Sequence, residues 1–125
     1  MASIGTLLDG GWRLCYTDGT GREGQVAAGV FSEDRKANPS QTYGTFGGPL
    51  CSVADGERLA IALALEKEES NMIAIISDSQ AAVHTVWNLS RGQPPRSDIE
   101  LRIHQALRKD SRERWLTGER NSSPS

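Results

Sequence analysis

Three acidic residues occupy positions from which a fold could bring them together: Asp18, Glu57 and Asp78. Asp78 closely follows the apolar run Met72–Ile76, a pattern typical of a strand buried on both faces. In open α/β sheets, ligands bind at the carboxyl ends of such strands. Clustered carboxylates repel one another, and their hard oxygen atoms select Mg²⁺ or Mn²⁺. A pair of such ions activates a water and stabilises the leaving oxygen in phosphodiester cleavage.

Each of the three residues can also be explained by a structural role that involves neither catalysis nor metal binding. Asp78, like the serines on either side of it, suits the first position of a helix as a cap. Glu57 would be a favourable negative charge near a helix N-terminus. Asp18 would simply turn the chain at the end of a strand. If all three have only these roles, the chain is a plain α/β domain without a metal site.

The first strand predicted from the sequence, residues 12–18, ends in Asp18. Its apolar residues Trp12, Leu14 and Tyr16 share one face with Asp18, because side chains of a strand alternate between faces. A carboxylate therefore closes an otherwise apolar face.

Glu57 stands ahead of the apolar helical pattern that runs to Leu65. Glu57, Ile61 and Leu65 are four residues apart and lie on one face of that helix. If Ile61 and Leu65 pack on a sheet, Glu57 points towards the sheet as well. A carboxylate aimed inward is costly unless something pairs with it.

The remaining segments predict an antiparallel meander followed by alternating helices and strands. The glycine-rich stretch 19–24 lacks the spacing of a phosphate-binding loop and predicts a hairpin connection. Ser97 and Glu100 have capping-box spacing at the start of a helix. His84 and His104 are interpreted as surface or structural residues, and Trp87 as core. The other predicted strands are 25–32, 41–46 and 112–116, and a helix follows Asp78 to about residue 89.

Length and net charge limit the classes of protein to which this chain can belong. At 125 residues, 13.6 kDa and a net charge of −2, the chain is one small domain and not a strongly basic nucleic-acid binder. Its charge is uneven, with a balance of −5 over residues 1–90 and +3 over residues 91–125. This split is compatible with an acidic metal site and a phosphate-facing patch, or with ordinary solvated surface.

Cysteine spacing and hydropathy indicate an intracellular protein. Cys15 and Cys51 have no zinc-ligand spacing and are predicted to be buried free thiols. No apolar run approaches a membrane span, and the first residues do not resemble a signal peptide. A cytoplasmic or nuclear location is expected, and the oligomeric state is left open.

Together, these motifs resemble type 1 ribonuclease H, most closely its retroelement and fungal versions. The resemblance lies in five short segments in the order of the family: Thr17–Thr20, Gly29–Val30, Gly56–Ile61, Ala64–Leu65 and Ser77–Ala82. It implies an α/β fold with a five-stranded mixed sheet, in which strands 1–3 are antiparallel, strands 4 and 5 run parallel to strand 1, and helices flank the sheet.

The resemblance also implies a function. The family hydrolyses the RNA strand of RNA–DNA hybrids with two Mg²⁺ ions, or Mn²⁺, leaving 5′-phosphate and 3′-hydroxyl ends. By position, Asp18, Glu57 and Asp78 would be its catalytic metal ligands. The partner would be an RNA–DNA hybrid or another nucleic acid, with no membrane involved.

The C-terminal residues depart from the family pattern. Trp115–Gly118 fit the start of a Trp-x-x-Gly-His loop, but Glu119 stands in the histidine position. The family's final helix and its fourth carboxylate are not recognisable, so we expect a ribonuclease H-like domain over 11–116, a disordered tail over 117–125 and a missing final helix. The enzyme would then be either active with three carboxylates or impaired by the loss of the fourth. The alternative is a non-catalytic ribonuclease H-like module that binds nucleic acid or protein.

Overall fold

The computed structural model describes residues 4–22, 25–35, 40–46, 53–109 and 113–118. These residues form four helices and five strands, and no described helix is long and apolar enough to cross a membrane. In chain order the elements are α1 (Ile4–Asp9), β1 (Arg13–Arg22), β2 (Gln25–Glu33), β3 (Gln41–Phe46), α2 (Val53–Lys67), β4 (Met72–Ser77), α3 (Gln80–Ser90), α4 (Asp98–Arg108) and β5 (Glu113–Gly118).

The described strands form one mixed sheet in the order β3-β2-β1-β4-β5. β1 pairs antiparallel with β2, and β2 pairs antiparallel with β3. β4 lies parallel to β1 on one side and to β5 on the other. The predicted α/β architecture, a mixed sheet flanked by helices, is therefore confirmed. β4 is hydrogen-bonded on both sides and buried through Ile73, Ala74 and Ile75, as its unbroken apolar run predicted.

The hairpin between β1 and β2 is tighter than predicted. We expected residues 19–24 to form the turn, but β1 continues through Arg22, which pairs with Gln25. Gly19 and Gly21 therefore lie in a strand. A strand glycine commonly marks the place where another backbone approaches closely, and this is the case at Gly19, as described below.

The two faces of the sheet are covered unequally. α2 packs on the face that carries Cys15 and Ile75, and the larger core cluster lies there together with residues of α3 and α4. The opposite face carries Leu14 and Ala74, and Leu7 of α1 packs against them. Residues 4–9, which precede the predicted domain over 11–116, thus form a helix that packs on the sheet. The sequence did not predict this helix, because six residues are too few to give a clear periodic pattern.

A buried ion network ties the start of β1 to the end of α2. The Arg13 Nε lies 2.7 Å from Glu68 Oε1, and its Nη1 lies 3.2 Å from Asp34 Oδ2. The Arg13 guanidinium also donates to Ser32 Oγ, and the Tyr43 hydroxyl donates to Glu68 Oε2 at 2.6 Å. Burial and the bond to Glu68 raise the pKa of the Tyr43 hydroxyl. Because charges are buried only when paired, this network fixes the end of α2 that lies far from Glu57.

Three further predictions can be compared with the structure. Trp87, predicted to be core, is 40% exposed on α3, because the apolar stripe of that helix is complete without it. Cys15 is buried, as predicted. β5 extends through Gly118, so residues 117 and 118 belong to a strand. Cys51, Glu119 and the predicted disordered tail from residue 119 onward lie outside the described residues.

Candidate metal centre

The register of the parallel strands places Asp18 and Asp78 at the same edge of the sheet. The last printed pair of this ladder joins Tyr16 of β1 to Ile76 of β4. Each aspartate follows its member of that pair by two residues, and parallel strands end at the same edge. The Thr17 hydroxyl donates to the carbonyl of Ile76 at 3.3 Å, which ties the two strands together just before the carboxylates.

The cap of α3 is Ser79 and not Asp78. The Ser79 Oγ accepts a hydrogen bond from the Ala82 N–H at 3.2 Å. The Ser77 Oγ accepts from the Ser79 N–H at 3.1 Å. The serines on either side thus take up the local backbone donors, and the structural interpretation of Asp78 as the helix cap is wrong. Asp78 is left as an exposed carboxylate at the end of a buried strand.

Glu57 reaches the edge of β1 because two glycines bring α2 against that strand. A Cβ at Gly19 would lie 2.4 Å from the Glu57 backbone nitrogen. A Cβ at Gly56 would lie 2.6 Å from Val26 Cγ1 and 3.5 Å from the Gly19 Cα. Side chains at these positions would push the helix away from the sheet. Their absence lets Glu57 Oε1 accept a hydrogen bond from the Gly19 N–H at 3.1 Å.

Asp18 and Glu57 approach this edge from different sides of the sheet. Cys15 packs in the α2 cluster, so by alternation Gly19 belongs to the face towards α2 and Asp18 to the face of Leu14. The Glu57 carboxylate comes from α2 and meets the strand at Gly19. The two acids converge only because the strand carries no side chain at that position.

The structure brings all three sequence-predicted residues together. One carboxylate oxygen from each of Asp18, Glu57 and Asp78 lies within 4.8 Å of the others. Asp18 and Asp78 are exposed, whereas Glu57 is only 9% exposed. The three acids therefore form a cluster that opens to solvent on the aspartate side.

The electrostatics of Glu57 favour a bound cation. Burial raises the pKa of its carboxyl, the hydrogen bond from Gly19 opposes that rise, and the charges of Asp78 and Asp18 add to it. Its second oxygen, Oε2, is buried and has no hydrogen-bond partner among the described residues. A buried polar atom without a partner is unfavourable, and a cation between the carboxylates would satisfy it. The all-oxygen donor set suits Mg²⁺ or Mn²⁺.

Sequence reasoning found the three acids that converge but missed the residues that position them. Gly56 was noted only as part of the segment that resembles the family, and Gly19 was predicted to lie in a turn. No local pattern reveals that two glycines 37 positions apart touch, because that contact depends on how α2 packs on the sheet. The position of Glu119, the residue that stands in place of the family's histidine, lies outside the described residues.

Comparisons with known proteins agree with this architecture. No protein-family model matches the chain, and no curated protein matches it. Among solved structures, the crystal structure of RNase H1 from the halophilic archaeon Halobacterium salinarum NRC-1 matches with a TM-score of 0.65. The match covers 86% of this chain and 85% of that chain at 19% sequence identity.

The fold is that of ribonuclease H. The resemblance seen in the sequence motifs is thus confirmed at the level of the fold. The archaeal structure does not test the similarity to retroelement and fungal versions, which stays a prediction. Asp18 lies inside β1, and the carboxylate cluster forms where this part of β1 and the end of β4 meet the first turns of α2.

Proposed function

We propose that this protein is a ribonuclease H-like endonuclease that hydrolyses the RNA strand of RNA–DNA hybrids. One observation carries the proposal: on a ribonuclease H fold, oxygens of Asp18, Glu57 and Asp78 converge to within 4.8 Å, and the buried Oε2 of Glu57 lacks a partner. These three residues would be the catalytic metal ligands. The expected cofactor is Mg²⁺ or Mn²⁺.

The roles of the three residues differ with their surroundings. Asp18 and Asp78 are exposed at the sheet edge and face the side from which a nucleic acid would approach. Glu57 is held in one orientation by the Gly19 N–H and forms the floor of the cluster. When bound, a pair of divalent ions supplies an activated water and stabilisation of the leaving oxygen. The Gly19 N–H holds the Glu57 carboxylate in place, so this residue needs little reorganisation on binding.

The alternative is a non-catalytic ribonuclease H-like module that binds nucleic acid or protein. The observation that favours it is the size of the cluster, which contains three carboxylates among the described residues. In this alternative, the site would still bind a divalent cation and a hybrid, but cleavage would be absent.

Cleavage of a labelled RNA–DNA hybrid separates the two proposals. The hybrid is incubated in Mg²⁺ and, separately, in Mn²⁺ with the wild-type chain and with Asp78→Asn purified in parallel, which controls for a contaminating host ribonuclease. Activity that the variant loses, with 5′-phosphate and 3′-hydroxyl products, supports the enzyme. Equal background in both preparations contradicts it and favours the binding module.

A further inference from the structure

The exposed face of α3 carries a row of residues that the carboxylate site does not use. Gln80, His84, Trp87 and Arg91 are all exposed, and their spacing of three or four residues places them on one side of the helix. The row begins two residues after Asp78 and leads away from the carboxylates. Trp87 lies seven residues from the start of α3, which is about 11 Å along the helix axis.

Trp87 is not required for the packing of α3. The opposite side of the helix is buried through four apolar residues, Ala82, Val83, Val86 and Leu89. Trp87 is 40% exposed, so part of its large aromatic ring is accessible to a ligand. The Arg91 guanidinium carbon lies 5.7 Å from the ring centroid, within the range of a cation–π contact. An aromatic ring and a cation thus form one exposed pair.

The backbone holds Arg91 in place at the end of α3. Gly92 has a positive φ of 103°. Its N–H bonds to the Leu89 carbonyl at 3.2 Å, and the Gln93 N–H bonds to the Asn88 carbonyl at 3.0 Å. This pair of bonds is the Schellman pattern that ends many helices. Arg91 is therefore positioned by a defined helix end.

The charge of this region suits a polyanion. Residues 79–109 contain five basic and two acidic residues, whereas the described part of residues 4–78 contains five basic and ten acidic residues. One basic side chain, Arg102, is paired with Glu66. Among the described residues, the segment that contains α3 and α4 therefore has a net positive charge, whereas the part of the chain before it is net negative.

We propose that this face of α3 binds an unpaired nucleic-acid strand that continues from the carboxylate site, with Trp87 stacked on a base and Arg91 contacting the backbone. The proposal rests on the proposed function and names a preferred substrate, a hybrid with a single-stranded extension. An unpaired strand fits better than a duplex, because the faces of paired bases are covered by their neighbours, whereas unpaired bases stack on aromatic side chains.

The test compares binding of a blunt labelled hybrid with binding of the same hybrid carrying six unpaired nucleotides at either the 5′ or the 3′ end. Fluorescence anisotropy in EDTA measures affinity for the full chain without cleavage. The variants are Trp87→Ala, Trp87→Phe and Arg91→Ala. The control is Leu101→Ala, which removes a similarly exposed apolar side chain, 41% exposed on α4. Because affinities depend on salt, all measurements use one ionic strength.

In the wild type, an extension of one polarity should tighten binding by about tenfold, the effect of stacking one base. Trp87→Ala should lose this gain, Arg91→Ala should lose part of it, and Trp87→Phe and Leu101→Ala should keep most of it. Equal affinity for blunt and extended hybrids in the wild type, or a gain that survives Trp87→Ala, would overturn the proposal. Cleavage is measured separately, so an inactive chain that still shows the gain would contradict the enzyme but not this surface.

Discussion

Gly19 on β1 and Gly56 on α2 face each other so closely that a Cβ on Gly19 would lie 2.5 Å from the Gly56 carbonyl carbon. The helix can lie this near the strand only where both residues lack side chains. The contact sets the distance between Glu57 and the two aspartates. The geometry of the carboxylate cluster therefore depends on two residues that carry no functional group themselves.

Gly19→Ala should destabilise the fold and weaken metal binding together. The new Cβ would lie 2.4 Å from the Glu57 backbone nitrogen, a backbone atom that cannot rotate away. We expect a loss of about 1–3 kcal/mol in the free energy of unfolding and a lower affinity for Mn²⁺. Urea unfolding and calorimetric titration measure the two effects.

Gly29→Ala is the matched control for this change. Gly29 lies opposite Asp18 on β2, and the nearest atom to its Cβ would be the Asp18 carbonyl oxygen at 4.0 Å. The substitution should leave both quantities nearly unchanged. An equal response of the two variants would show that strand glycines are sensitive in general and that the contact with α2 has no special role.

Asp78→Asn should raise the stability of the metal-free protein, because it removes one of three crowded negative charges. Ser79→Ala should do the opposite and cost about 1 kcal/mol, because it removes the cap of α3. Chemical denaturation in EDTA measures the free energy of unfolding of both variants. A clear loss of stability in Asp78→Asn would mean that this residue holds the backbone after all.

Glu57 should make the stability of the metal-free protein fall as the pH rises. The folded state raises the pKa of this carboxyl above its ordinary value of 4.5, chiefly through burial. Between the two pKa values the folded chain binds more protons than the unfolded chain, so the free energy of unfolding decreases with increasing pH there. The loss begins near pH 4.5 and is complete above the folded pKa.

Glu57→Gln should remove this contribution. The free energy of unfolding of both proteins is measured in EDTA from pH 4.5 upward. The variant should be more stable than the wild type, and the difference should be largest at the highest pH. Divalent-cation affinity of the wild type should rise over the same range, because the cation competes with the proton. If the free energies of unfolding of the two proteins changed with pH in parallel, the pKa of Glu57 would not be raised in the folded state.

Glu68→Ala should be the most destabilising change considered, at about 3–5 kcal/mol. Its carboxylate, 3% exposed, bonds both Arg13 and Tyr43, and its removal leaves buried groups without their main partner. Glu66, two residues earlier, is 34% exposed and pairs with Arg102 at the surface. Glu66→Ala should therefore cost about 0–1 kcal/mol. Similar losses in thermal or urea unfolding would contradict the structural role of the buried network.

The sequence predicted those parts of the fold that depend on local pattern. The apolar run of β4, the alternation in β1 and the capping serine of α4 each carry their own signal, and Ser97 Oγ does accept from the Glu100 N–H at 3.2 Å. The convergence of the three acids followed from the order of the elements together with the family resemblance.

What the sequence did not predict depends on packing between distant residues. Nothing in the sequence marked Arg13 as the partner of Glu68, because 55 positions separate the two residues. Trp87 was assigned to the core because aromatic residues on a helix usually lie there, yet the burial of α3 is complete without it. The contact between the two glycines is likewise invisible before α2 is placed on the sheet.

The most direct test of the central claim is a titration with Mn²⁺ that asks whether the three carboxylates form a single centre. Wild type, Asp18→Asn, Glu57→Gln and Asp78→Asn are compared by calorimetry, with Asp55→Asn as the control. Asp55 is an acidic residue of the same first turns of α2, but it pairs with Arg58. We expect each of the three variants to lose about tenfold or more in affinity and the control to bind like the wild type. Equal binding by all five proteins would contradict the shared metal centre.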